Sequence, residues 1–251
     1  MFEPTIPFGE PELMRASAYQ LYLQELDAEA SKTGASSRIA SLSPSLRADL
    51  ERFEVDGGST EVLEVVAACV RHAKRVVIHL QLGERVVPLT VFPEERLVHS
   101  PLRMDQLLEH ALTQLRVMHV EPALLRPPGD AESGLVGEER LHFPLGPLLW
   151  ELAMRGGRTE LLPEIAGPAL YRVTPGLQLR SLPFSGALPA AVYRLRREGA
   201  TLTDIAEWPG FDRERAIRLL NALYLQAGLM VSRSHPDAIN ESWKRKVRGT
   251  P

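Results

Sequence analysis

Apolar residues near the start of the chain recur at spacings of three and four. Leu13, Ala16, Tyr19, Leu23 and Leu26 share one helical face, which predicts a helix over residues 11–31. Such a face is expected to pack on the body of the protein, with docking of a partner as the alternative. Small polar residues from Ser31 to Ser45 break the period. It resumes after Ser59 and Thr60, hydroxyls that precede a carboxylate-rich first turn, and predicts a second helix running to about Lys74.

The period then shortens to two. Val76, Ile78, Leu80 and Leu82 fall on one face of a strand, Gly83-Glu84 supplies a hairpin turn, and residues 86–92 form the returning strand. Pro88 predicts that this second strand lies at an edge or is bulged. A third strand is expected near Leu97-Val98-His99, a helix over Met104 to Leu115 and a further strand over Val117 to Val120. The order α-β-β-β-α-β with short connections implies a largely antiparallel sheet covered by helices on one side. Residues 126–140, rich in Pro, Gly and charge and without an apolar period, are the expected linker.

Beyond the linker, a helix is expected from Leu145 to Arg155, closed by Gly156-Gly157. Strands are expected over 169–173 and 177–179 within a proline-punctuated stretch. Pro189 suits a helix start, Thr201 caps a short helix, Trp208-Pro209-Gly210 forces a turn, and Asp212 caps a longer helix stopped by Gly228 before a strand at 229–233. Three helices with a tight turn before the third, then a strand, is the order of a winged helix-turn-helix. The expected fold class is therefore α+β. The α+β module covers 1–125, the linker 126–140, a mixed α/β segment 141–187, a winged-helix-like module 188–235 and a basic tail 236–251.

Composition changes this picture little. With 44% hydrophobic and 24% charged residues the chain can bury a core, and at 251 residues two domains are ordinary. Its single cysteine, Cys69, sits in an apolar helical run and allows no intramolecular disulfide. No apolar run reaches the roughly 18 residues of a membrane helix, and Met1-Phe2-Glu3-Pro4 lacks a signal-peptide layout, so the cytoplasm is the expected compartment, with no membrane partner.

Charge is distributed unevenly. Residues 188–251 carry 11 Lys/Arg against 7 Asp/Glu, whereas 1–187 carry 18 against 25. The C-terminal part thus favours an anionic partner, in the helix from 212 to 226 or in the basic run 244–248, although a solvated tail is the plainer reading of that run. Arg213, Arg215, Arg218 and Asn221 are the candidate nucleic-acid contacts. Trp208 and Phe211 in the turn, with Tyr224 on the helix, are the candidate protein contacts.

Candidate chemistry is sparse. His79, His99 and His119 fall on three predicted strands, but no accompanying ligand has a diagnostic spacing, so strand histidines without metal are expected. His72, His110, His142 and His235 are isolated in the sequence. Serine-hydrolase, phosphate-loop, dinucleotide and zinc-protease signatures are missing, and no cofactor is expected.

Phe143-Pro144-Leu145-Gly146-Pro147-Leu148-Leu149-Trp150-Glu151-Leu152-Ala153, with Arg158 to Leu161, resembles the opening of PATAN-type domains of bacterial signalling proteins. Residues 202–206, 216–223 and 228–229 resemble the winged-helix ending often joined to them. This resemblance implies a regulatory adaptor that acts through protein contacts without catalysis. The stretch Pro163 to Pro183 departs from the pattern, where the family would show cleaner strands and a Gly-centred hairpin. The expected function is a non-catalytic adaptor or scaffold in bacterial signalling, binding other proteins and open to homodimer formation. The alternative is a winged-helix transcription regulator that binds DNA.

Overall fold

A computed structural model describes residues 13–33, 42–55, 62–130, 135–177 and 182–233. The chain is α+β and divides into two compact units, Met1–Gly157 and Arg158–Pro251. Among the described residues no helix is long and apolar enough to cross a membrane. The predicted strand residues 178–179, the helix start at Ser59 and Thr60, most of the loosened segment 31–45, His235 and the basic tail 236–251 lie outside the described residues.

The first unit opens with α1 (Ala16–Thr33), α2 (Pro44–Val55) and α3 (Val62–Arg71), then β1 (Val76–Leu82), β2 (Arg85–Phe92), β3 (Leu97–His99) and α4 (Met104–Glu109). A 3-10 turn at Leu112–Gln114 leads to β4 (Arg116–Pro122), the two-residue strands β5 (Leu125–Arg126) and β6 (Leu135–Val136), β7 (His142–Pro144) and α5 (Leu145–Arg155). Five strands form one sheet in the order β4-β1-β2-β3-β7, every pairing antiparallel. The predicted hairpin turn is present, with Gly83 at φ 59, a left-handed conformation that glycine adopts without a Cβ clash.

The sheet is covered on both faces rather than one. Val76, Ile78 and Leu80 pair with Val91, Leu89 and Val87, and all six are buried on one face. Val86, Thr90 and Phe92 of β2 are also buried and point to the other. Ala16 and Tyr19 of α1 pack on Val86, so the first helix packs on the body through its predicted apolar face.

Pro88 sits inside this central strand because its missing N–H falls in a gap. The side of β2 away from β1 is paired at its start by residues 14–16, where Val86 N donates to Met14 O at 2.9 Å and Ala16 N to Glu84 O at 2.8 Å. Pairing with β3 begins only at Thr90. The Pro88 nitrogen, two residues after Val86, points between the two pairings and has no ladder bond to lose.

The predicted linker is part of the first unit. Arg75 bridges Glu95 (2.6 Å) and Asp130 (3.0 Å), and Ala123 N donates to Arg75 O, which ties residues 123–130 to the sheet. β7 then completes the sheet by pairing with β3, so the boundary between units falls at Gly157 rather than within 126–140.

The second unit contains β8 (Leu170–Val173), α6 (Leu188–Arg197), α7 (Leu202–Ala206), α8 (Arg213–Leu225) and β9 (Leu229–Ser232). β8 pairs antiparallel with β9, and Tyr171 makes a bridge to Ala200. Both predicted caps are present. The Thr201 hydroxyl accepts from Asp204 N while Thr201 N donates back to Asp204 Oδ2, and Asp212 Oδ1 accepts from Arg215 N at 2.7 Å.

Residue 228 acts differently from its predicted role. The left-handed residue that ends α8 is Ala227, at φ 55, whereas Gly228 lets Leu177 approach so closely that a Cβ would lie 2.3 Å from its Cδ2.

Two buried polar side chains fix the start of this unit. Asn221, fully buried on α8, accepts from Leu162 N at 2.9 Å and donates to Glu160 O at 3.0 Å. The Tyr171 hydroxyl donates to Ile165 O at 2.7 Å. Asn221→Ala strands a buried N–H and a carbonyl and is expected to cost about 2–4 kcal/mol, against about 1 kcal/mol for Tyr171→Phe. Urea denaturation of the full chain followed by near-UV circular dichroism measures both.

Candidate functional site

The turn between α7 and α8 is built from its own chemistry. Trp208 N donates to Ile205 O, Phe211 N donates to Trp208 O, and Gly210 between them stands at φ 77, where an L side chain is strained. This folds Trp208 and Phe211 edge to face with ring centroids 6.4 Å apart.

Two arginines complete the arrangement. The Arg194 guanidinium of α6 lies 4.6 Å from the Trp208 ring centre, and that of Arg215 lies 5.3 Å from Phe211 while donating to Gly210 O at 2.8 Å. The result is a ladder, Arg194–Trp208–Phe211–Arg215, in which each cation sits near a ring face. Trp208 is only 8% exposed and anchors the ladder in the core. On the same helix as Arg194, Tyr193 is 62% exposed, with the Arg197 guanidinium 5.7 Å from its ring and Arg197 Nη1 donating to its hydroxyl. Tyr193, Arg194 and Arg197 were not among the predicted site residues. The i,i+4 spacings Tyr193/Arg197 and Arg194/Glu198 were the signal that could have marked them.

The structure separates the predicted contact residues. Trp208, Phe211 and Arg215 meet in the ladder. Tyr224 is half-buried at the far end of α8, roughly 16 Å from Arg213 along the axis at 1.5 Å rise per residue. Arg218 reaches back to Glu214 through Nε (3.1 Å) and Nη2 (2.7 Å), and Asn221 is sealed beneath residues 160–162. Asn221 therefore holds the unit together and does not reach a base edge, because an apolar environment obliges its amide to bond the backbone. Arg213 remains exposed at the start of α8.

Four histidines of the first unit, His79, His99, His119 and His142, lie on one sheet face. His79 pairs with His119 on one side and Pro88 on the other, while His99 pairs with Thr90 and His142. Thr90 is two residues from Pro88, which puts all four rings on the same side. They form two pairs rather than one group of three. His79 and His119 have ring centroids 6.0 Å apart, with His79 Nε2 3.0 Å from Glu121 and stacked on Tyr19, and His99 lies 4.8 Å from His142. Among the described residues no three His, Cys, Asp or Glu side chains are grouped to hold a metal ion. His142 and His72, isolated in the sequence, have partners in space: His142 in His99, and His72 in Asp49 at 2.8 Å. Cys69 is fully buried, and burial pushes its thiol up to about 12, so it stays protonated and unreactive at neutral pH.

Burial lowers the His99 pKa, the neighbouring His142 lowers it further, and Glu138 opposes both. His142 packs on Phe92 and faces Glu138 O through Nδ1, and Gly137 lies against the His99 ring. Below the ordinary histidine pKa of about 6.5, the unfolded chain takes up a proton at residue 99 that the folded chain resists. Stability therefore falls as pH drops through that value, and His99→Gln flattens that part of the profile. In the folded chain the His99 ring signals titrate below 6.5 by NMR.

Comparison with protein-family models, curated proteins and solved structures yields no match to the chain.

Proposed function

We propose that the chain is a non-catalytic, cytoplasmic regulatory adaptor that works through protein contacts, with its second unit serving as a winged-helix-like contact module. The observation that carries this reading is the burial of Asn221. A helix that enters a DNA groove needs its outward side chains bare. On α8 the stripe Glu214, Arg218 and Asn221 is closed by an ion pair at one end and by residues 160–162 at the other.

Other features point the same way. The order of α6, α7, α8 and β9 fits a winged helix, residues 143–153 with 158–161 resemble the opening of PATAN-type domains, and residues 202–206, 216–223 and 228–229 resemble the winged-helix ending often joined to them. Tyrosine and arginine on a firm support are the residue types that dominate protein interfaces. Tyr193 and Arg197 stand exposed beside the Arg194–Trp208 stack, which supplies that support. A homodimer through β2 at Pro88 is disfavoured, since that strand is interior to the sheet, between β1 on one side and residues 14–16 and β3 on the other.

The test uses the full chain with a photo-crosslinking residue at position 193, in lysate of the source cell. Crosslinks to a discrete protein are expected, and with that protein purified, Tyr193→Ala weakens binding by about tenfold while the circular dichroism spectrum is unchanged. DNA binding that weakens steeply with salt and is abolished by Arg213→Ala would overturn the reading in favour of a transcription regulator.

A further inference from the structure

The second unit holds an open cleft of about 570 Å³ at the end of the β8–β9 ladder, apart from the arginine-aromatic ladder, whose side chains do not line it. Leu161, Leu170 and Leu202 give it apolar walls. Two side chains of opposite charge, Glu160 and Arg213, line the same cleft.

These charges do not neutralise each other. Among the described residues neither side chain takes part in an ion pair or hydrogen bond, whereas Arg194, Arg215, Arg218 and Arg233 of the same unit are each engaged with a carboxylate or a backbone carbonyl. A guanidinium and a carboxylate that line one cleft without pairing offer both signs of charge to whatever occupies it. The complement of such a cleft is a molecule with a carboxylate at one end, an ammonium at the other and an apolar body between. A polyanion such as a nucleic-acid backbone or a nucleotide fits poorly, because Glu160 repels it. The volume lies within the range of small-ligand sites and exceeds that of one amino acid.

The geometry points to a binding site for a short zwitterionic peptide of apolar residues, its C-terminal carboxylate on Arg213, its N-terminal ammonium toward Glu160, and its side chains over Leu161, Leu170 and Leu202. Thr203 also lines the cleft and brings a hydroxyl to it that a peptide backbone can bond. Arg213 suits the carboxylate because a guanidinium can take both of its oxygens at once.

Isothermal titration of the full chain with the dipeptide Leu-Leu tests this site, with N-acetyl-Leu-Leu and Leu-Leu amide as ligands lacking one charge. Saturable binding of Leu-Leu is expected. Amidation should weaken it about tenfold in the wild type and leave it unchanged in Arg213→Met, and acetylation should behave likewise toward Glu160→Gln. Both substitutions are at exposed positions, and unchanged circular dichroism verifies the fold. No saturation at millimolar peptide, or equal binding of all three ligands by the wild type, overturns the proposal. Leu-Leu affinity that survives both substitutions does the same, since it marks adsorption elsewhere.

Discussion

A primary amide cannot be buried without partners, and Asn221 is fully buried in the middle of α8. Its two hydrogen bonds go to the backbone of Glu160 and Leu162, some sixty residues earlier. Removing that segment would leave the amide facing apolar neighbours, and removing the amide would leave a backbone N–H and carbonyl unmet, so helix and segment require each other. Tyr171 fastens the same segment through Ile165 O, and Arg233 reaches Glu164 O and Ala166 O from the far side of β9. Thus α8 is the central pillar of its unit, with Ala216, Ile217, Leu219, Leu220, Ala222, Leu223 and Leu225 also buried.

That constraint explains which parts of the fold were legible. Periods and caps are local, and they located β1, β2, β3, α5, α7 and α8 closely, because a hydroxyl or carboxylate at a helix start and alternation along a strand are decided within a few residues. α2 was missed because Pro44-Ser45 at its start reads as the continuation of a polar loop. β7 was missed because its pairing is with β3, about 45 residues away, and three residues carry no period. The 126–140 stretch has the composition of a linker, yet Arg75 draws Asp130 onto the sheet by long-range charge pairing that composition does not reveal.

The candidate site was legible in its residue types and not in their roles. Trp208, Phe211 and Arg215 stood out as aromatic and basic residues around a tight turn, and the structure joins them. Asn221 looked like a surface polar residue because a helical wheel assigns asparagine to the wet side by default. Only the fold of residues 158–166 makes its side a buried one. The histidines show the same limit: spacing in the sequence separated His142 from His99, whereas strand register puts them opposite each other.

Charge balance is subject to the same correction. Arg213, Arg215 and Arg218 read in sequence as a basic cluster, but a cluster acts on a polyanion only if its charges face outward together. Arg218 is held by Glu214 one turn back, and Arg215 lies along Phe211 with one nitrogen on Gly210 O, so two of the three charges are spent on their own turn and helix. A guanidinium stacked on a ring keeps its charge yet becomes part of a rigid surface, which suits recognition by shape and stacking more than by long-range field. Arg194 and Arg215 therefore stiffen the α7–α8 turn before they offer anything to a partner, and Arg213, unlike Arg215 and Arg218, lines an apolar cleft in company with a carboxylate.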